Sequence, residues 1–289
     1  MKLVRYGEAE QEKPGLIDAD GQLRDLSEIV PDITGKTLAP ETRAKLAGID
    51  PASLPKVAGD QRLGPCVGDI GRIVCIGLNY SDHAEECDMA IPEEPVVFIK
   101  SCPATGANDL VTIPKAATKP DWEVELAVII GARTEHVSQA EALNYVAGYA
   151  VANDVSERAF QHEMGGQWTK GKSCEGFAPL GPWLVTSDEI PDPQALEIWL
   201  EVNGRRFQDG NTANQIFGVA HVVSYLSRFM VLNPGDVIMT GTPAGVGASV
   251  NPEPVWLKPG DEVRLGIDGL GEQRQSYVAW EASRGRGAS

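Results

Sequence analysis

No stretch of this 289-residue chain approaches the length of a membrane span, and its first residues, Met1-Lys2-Leu3-Val4-Arg5-Tyr6, are too polar for a signal peptide. Positive charge is scarce. Twenty-five Lys and Arg stand against 41 Asp and Glu, a net charge of -16. A surface of that sign argues against nucleic-acid binding, although a local cation leaves room for a small anionic substrate. The cysteines Cys66, Cys75, Cys87, Cys102 and Cys174 are odd in number and form no C-x-x-C pair, which argues against a disulfide framework or a zinc cluster. Reduced cysteines without a transport signal give the expectation of a cytoplasmic protein with no membrane partner. There is no internal repeat, and the short C-terminal tail, residues 283–289, is the one low-complexity segment. With 42% hydrophobic and 23% charged residues, the composition is that of an ordinary globular protein.

The length suits one large domain or two unequal ones. Residues 1–65 read as a small N-terminal α+β domain. They hold a strand at 2–6, a hairpin around Asp18-Ala19-Asp20-Gly21, a helix at 40–46 and a Pro- and Gly-rich connection at 51–64. Residues 66–289 read as a second domain. Strands are expected at 72–76, 95–99, 146–154, 236–239 and 262–267, with helix-like patterns at 139–144 and 216–230. Asn203-Gly204 and Asp268-Gly269 signal hairpins. Strands outnumber helices and do not alternate with them, so the expected class is α+β, mainly β, with mixed sheets.

The richest stretch is Asp121-Trp122-Glu123-Val124-Glu125-Leu126-Ala127-Val128-Ile129-Ile130-Gly131. At the period of a strand, Glu123 and Glu125 share one face. Two adjacent carboxylates on a buried strand repel each other and lose hydration, so a cation or a proton must offset them. An edge strand with both in water is the bland alternative. Asp154, ending an apolar strand, is a candidate third carboxylate, or simply a turn residue. Three carboxylates form a hard site suited to Mg²⁺, Mn²⁺ or Ca²⁺.

His83 and Glu86 fall at i and i+3 of a short helix beginning at Ser81 or Asp82. A carboxylate beside an imidazole orients it as a general base, although an incidental surface pair is the competing account. Lys172, with Lys170 as a rival, lies among small residues suited to a loop that meets a carboxylate or an enolate. Arg158 and Gln161 follow Asp154 closely and suit an anionic substrate. Gly241-Thr242-Pro243-Ala244-Gly245-Val246-Gly247 lacks the G-K-[ST] of a nucleotide loop, but its amides and the Thr242 hydroxyl suit a carboxylate. His136, His162 and His221 have no evident partners.

Together these segments resemble the fumarylacetoacetate hydrolase family over about residues 70–270. The matching pieces are Gly77-Leu78-Asn79-Tyr80-Ser81-Asp82-His83-Ala84-Glu85-Glu86, Pro95-Val96-Val97-Phe98-Ile99-Lys100, Asp121-Trp122-Glu123-Val124-Glu125-Leu126, Asn153-Asp154-Val155-Ser156-Glu157-Arg158 with Gln161, Gly171-Lys172-Ser173 with Ala178-Pro179-Leu180-Gly181-Pro182, and Thr240-Gly241-Thr242-Pro243-Ala244-Gly245-Val246-Gly247. The resemblance implies a mixed β-roll around the active site and a homodimer. It implies Mg²⁺ or Mn²⁺ on Glu123, Glu125 and Asp154, catalysis by His83, Glu86 and Lys172, and substrate contacts from Arg158, Gln161 and Thr242. The implied activity is hydrolysis of a carbon–carbon bond in a diketo acid. Oxaloacetate decarboxylation or another acylpyruvate hydrolysis is the alternative, and a non-catalytic metal-dependent binding protein is an alternative of another class. The N-terminal residues look like a bacterial branch often labelled fumarylacetoacetate hydrolase or ureidoglycolate lyase. Residues 167–174 and 208–212 look similar to bacterial 2,4-diketo-3-deoxy-L-rhamnonate or L-fuconate hydrolases, which would make the products pyruvate and L-lactate.

Overall fold

A computed structural model describes residues 1–284. The segment rich in β-branched residues around Glu125 forms the strand Val124–Ile130, and all seven of its residues are buried. It lies inside a nine-stranded sheet, flanked by Val146–Asn153 and Val237–Met239. The edge-strand alternative is thereby excluded. Pro120–Asp121 is not continuous with this strand. It makes a separate two-residue pairing with Ser156–Glu157.

Beyond Val146–Asn153 the sheet continues through Leu180–Thr186, Lys2–Tyr6, Lys13–Ile17 and Leu23–Asp25. Beyond Val237–Met239 it continues through Ile73–Gly77 to the edge strand Val96–Lys100. The first strand of the chain is therefore hydrogen-bonded to residues 184–185 of the same sheet. Pairing is antiparallel throughout this sheet except between Val237–Met239 and Ile73–Gly77.

A second, five-stranded sheet runs Arg205–Asn211, Glu197–Val202, Glu262–Ile267, Gly271–Ala279 and Val111–Ile113. Both expected hairpins form in it. Asn203 and Gly204 take φ of 51° and 78°, the left-handed geometry that a two-residue turn requires. Buried glutamines tie the sheets together. Gln208 accepts from Val124 N–H at 3.0 Å, and Gln275 accepts from Asn153 Nδ2 at 3.0 Å. These polar groups are internally satisfied, so burying them carries no unpaired-donor penalty.

Helices are few. Val219–Ser227 buries Val219, Val222, Val223 and Leu226, the stripe expected from their spacing. Pro40–Ala47 is also helical. The pattern at 139–144 yields one turn of 3₁₀ helix, Ala142–Tyr145, and no α-helix. No helix among the described residues is long and apolar enough to cross a membrane. The tail at residues 283–289 lies largely outside the described residues.

Candidate active site and metal centre

Asp154 N–H donates to the Glu123 carbonyl at 2.9 Å, and Val124 is paired with Asn153. This register places the carboxylates of Glu123, Glu125 and Asp154 together. One ligand oxygen from each lies within 4.8 Å of the others, and all three residues are buried. Lys172, at the end of the short helix Thr169–Lys172, reaches into the cluster. Its Nζ donates to Glu123 Oε2 at 2.8 Å and to Asp154 Oδ2 at 2.7 Å. Lys170, its rival, is exposed and donates to the Met164 carbonyl.

Burial alone would push the Glu123 carboxyl up, but Lys172 and Arg158 outweigh it and hold that group below the usual carboxylate range. Glu125 differs. Burial pushes it well above the usual range, Asp154 and Glu123 add to the effect, and its hydrogen bond comes from Gly241 N–H at 2.7 Å. Lys172 is itself held above its ordinary value, because Asp154 and Glu123 overcome the burial that would lower it. The site therefore contains one carboxyl whose charge is disfavoured by burial and by its neighbours.

The helix Ser81–Glu86 carries the imidazole. Its N-cap is Tyr80, without a side-chain cap, and Asp82 accepts instead from His83 N–H. His83 Nδ1 lies 3.1 Å from Glu86 Oε2, so with the proton assigned to Nδ1 the other nitrogen is the basic one. Glu86 Oε1 accepts from Gly245 N–H at 2.9 Å, which locks the orienting carboxylate to the glycine-rich turn. Burial would lower the His83 pKa, but hydrogen bonds to Cys87 and Glu86 push it up to about 9.

The amides of that turn serve the protein's own carboxylates. Gly241 N–H goes to Glu125, Gly245 N–H to Glu86, and Gly247 N–H to Asp121. Gly245 is required there. Its φ is 103°, and an added Cβ would stand 1.9 Å from the Phe207 carbonyl oxygen. The Thr242 hydroxyl donates to Val124 O and accepts from Gln208, so it is already engaged, although the residue lines the cavity.

Arg158 Nε donates to Asp121 at 2.8 Å, while its Nη1 lies 2.7 Å from Glu123 and 3.1 Å from Gln161 Oε1. Its Nη2 is buried with no partner among the described residues. His83, Glu123, Glu125, Arg158, Gln161, Lys172 and Thr242 line one cavity of about 570 Å³, whereas Lys170 does not. Glu86 and Asp154 stand directly behind it on His83 and Lys172.

Sequence reasoning missed other members of the site. Asp121 anchors Arg158 and caps the turn at Gly247 and Ala248. His162 and Trp168 pack edge to face in the wall, and Phe98 packs against Trp168. Cys87 touches His83 through sulfur at 3.8 Å. Cys87 lies one turn after His83, so an i, i+4 pairing is the signal that was available. Asp121 gave no local signal, whereas Trp168 falls in the segment 167–174 already marked by the resemblance. The 208–212 segment is outside the wall, with Gln208 committed to Val124, Thr242 and Pro243.

Residues 72–278 match the model of the fumarylacetoacetate (FAA) hydrolase C-terminal family. A Burkholderia ambifaria protein, named only by the general class hydrolase, is 58% identical over 96% of this chain and 98% of its own length. The fumarylacetoacetate hydrolase of Exiguobacterium antarcticum superposes with a TM-score of 0.84 at 32% identity, covering 96% of this chain and 99% of that one. The maleylpyruvate hydrolase of Sphingobium sp. SYK-6, in complex with manganese(II) and pyruvate, superposes with a TM-score of 0.79 at 27% identity over 96% and 99%. With its mainly β architecture and these likenesses, the chain belongs to the fumarylacetoacetate hydrolase family.

Proposed function

We propose that the protein is a metal-dependent hydrolase that cleaves a carbon–carbon bond of a 2,4-diketo acid and releases pyruvate. The observation that carries this reading is the convergence of three buried carboxylates, Lys172 and the His83–Glu86 pair around one cavity. The Sphingobium relative, held with manganese and pyruvate, supports it.

The residues fit a divalent cation. The donors are hard oxygens, and burial with two neighbouring carboxylates disfavours the charge of Glu125, which a cation would offset. Glu123, Glu125 and Asp154 would hold Mg²⁺ or Mn²⁺. Such an ion supplies Lewis acidity toward the 1-carboxylate and 2-oxo group of the substrate. The unpartnered Nη2 of Arg158 finds its acceptor in a substrate carboxylate. His83, oriented by Glu86, takes a proton from water as the oxygen attacks the C4 carbonyl. The C3–C4 bond breaks, and its electron pair becomes the pyruvate enolate. The Lys172 ammonium stabilises that charge, and protonation at C3 gives pyruvate. The other fragment leaves as a carboxylic acid.

For that fragment we propose the tail of a 2,4-diketo-3-deoxy-L-rhamnonate or L-fuconate, which yields L-lactate. Gln161, His162 and Glu163 supply polar atoms to the wall in support. A second reading, an acylpyruvate with an apolar tail, is favoured by Met89, Phe98, Trp168, Val246, Pro254 and Trp256 in the same wall. Oxaloacetate decarboxylation would use the same charged residues but no attacking water. A metal-dependent binding protein would not need the His83–Glu86 base. Pyruvate release from a panel of these acids, with and without Mn²⁺, tests the reading. Release from none of them refutes it.

A further inference from the structure

The edge strand Val96–Lys100 exposes Val96, Val97 and Ile99, yet the side chain of its last residue, Lys100, is completely buried. Lys100 Nζ donates to Asp154 Oδ1 and, at 3.1 Å, to the Val155 carbonyl. The other oxygen, Asp154 Oδ2, faces Lys172. Two lysines from different elements thus divide one carboxylate between them. Asp154 stands in the two-residue link between Val146–Asn153 and Ser156–Glu157. Its backbone is held by Glu123 O and by the Ser156 hydroxyl. Its side-chain hydrogen bonds among the described residues are those from the two lysines.

We propose that Lys100 is a positioning residue of the metal centre. By occupying Asp154 Oδ1 it fixes the plane of the carboxylate, so that Oδ2, which also accepts from Lys172, is the oxygen presented to a divalent cation. This rests on the reading of Glu123, Glu125 and Asp154 as a cation site. Overall stability does not account for the lysine. A buried ammonium loses its hydration, and a methionine of similar length fills the same space without that loss. Coulomb attraction does not account for it either. A fixed positive charge beside a cation site repels the cation, so on charge alone its removal strengthens metal binding. Orientation acts in the opposite direction. Groups that hold a ligating carboxylate contribute about 10–100-fold to metal affinity. The two effects predict opposite signs for one substitution.

The experiment is calorimetric titration of Mn²⁺ into metal-stripped, full-length wild type and Lys100→Met, with the melting temperature of each metal-free protein recorded. The positioning role predicts a Kd about 10–100-fold weaker in the variant, with a metal-free melting temperature equal to or above that of wild type. Equal or tighter Mn²⁺ binding by Lys100→Met overturns it. Should that variant fail to fold, Lys100→Gln, whose amide is too short to reach Asp154, is read in the same way. Wild type that binds no Mn²⁺ removes the cation site itself. Wild type and variant that bind equally well remove only the role of Lys100.

Discussion

His83 Nδ1 lies 3.1 Å from Glu86 Oε2, and the opposite oxygen of Glu86 is fixed by Gly245 N–H. The pair orients the imidazole and also holds its proton, since hydrogen bonds to Cys87 and Glu86 overcome burial and push the His83 pKa up to about 9. A base must be neutral, so hydrolysis rises with pH as His83 deprotonates. A divalent cation at the carboxylates opposes the imidazolium and draws this rise to lower pH. Glu86→Gln removes a group that favours the charged ring. Its acidic limb in a profile of kcat/KM against pH moves to lower pH, while the maximum falls because the ring is less well oriented. An unmoved limb means that His83 is not the titrating group.

Loss of the base separates chemistry from metal binding. His83→Ala retains Mn²⁺ affinity in calorimetry and loses diketo-acid hydrolysis by about 10²–10⁴-fold, the range for a general base. It retains any decarboxylation of oxaloacetate, which needs no attacking water. Undiminished hydrolysis makes the histidine incidental.

Cys87 is the thiol that reacts first with an alkylating reagent. The hydrogen bond with His83 lowers its pKa, whereas burial pushes Cys66 up to about 12, Cys174 up to about 11, and raises Cys75 and Cys102 as well. Brief treatment with iodoacetamide, followed by peptide mass spectrometry, finds the label on Cys87 and activity reduced in step with it. Pyruvate and Mn²⁺ slow the reaction. Labelling of Cys174 ahead of Cys87 contradicts this ordering.

The tail of the substrate is decided by comparing a diketo-deoxy-sugar acid with an apolar acylpyruvate. A wall built to pair hydroxyl groups rejects an apolar tail strongly, because its own polar atoms are left unpaired. Sugar-acid specificity predicts the higher kcat/KM for the hydroxylated compound, with pyruvate and lactate in equal amounts. The reverse order assigns the tail to the indole of Trp168 and its apolar neighbours.

The parts of this protein that follow from local pattern were legible in its residues. The closeness of Glu123 and Glu125, His83 and Glu86 at i and i+3, and the left-handed Asn203-Gly204 turn each depend on neighbours a few positions apart, although Glu123 stands just before the strand Val124–Ile130 and not within it as expected. Distant partners were not legible. Asp121 meets Gly247 across 126 residues, and nothing near either residue announces the other. Lys100 closes a strand whose other residues are mostly exposed, and sequence alone did not distinguish it from a solvated lysine. Residues 139–144 carried helical spacing over too few positions to propagate, and a single turn formed at 142–145.

The most direct test of the account is pyruvate release from an acylpyruvate by chelator-treated protein, before and after Mg²⁺ or Mn²⁺ is added, in wild type and Glu125→Ala. Glu125 is the proposed ligand whose charge burial and the neighbouring carboxylates most disfavour, and a cation would offset that. The account predicts no release without metal, release on adding it to wild type, and little in Glu125→Ala, whose metal-free fold persists by circular dichroism. Full release from metal-free wild type would contradict it.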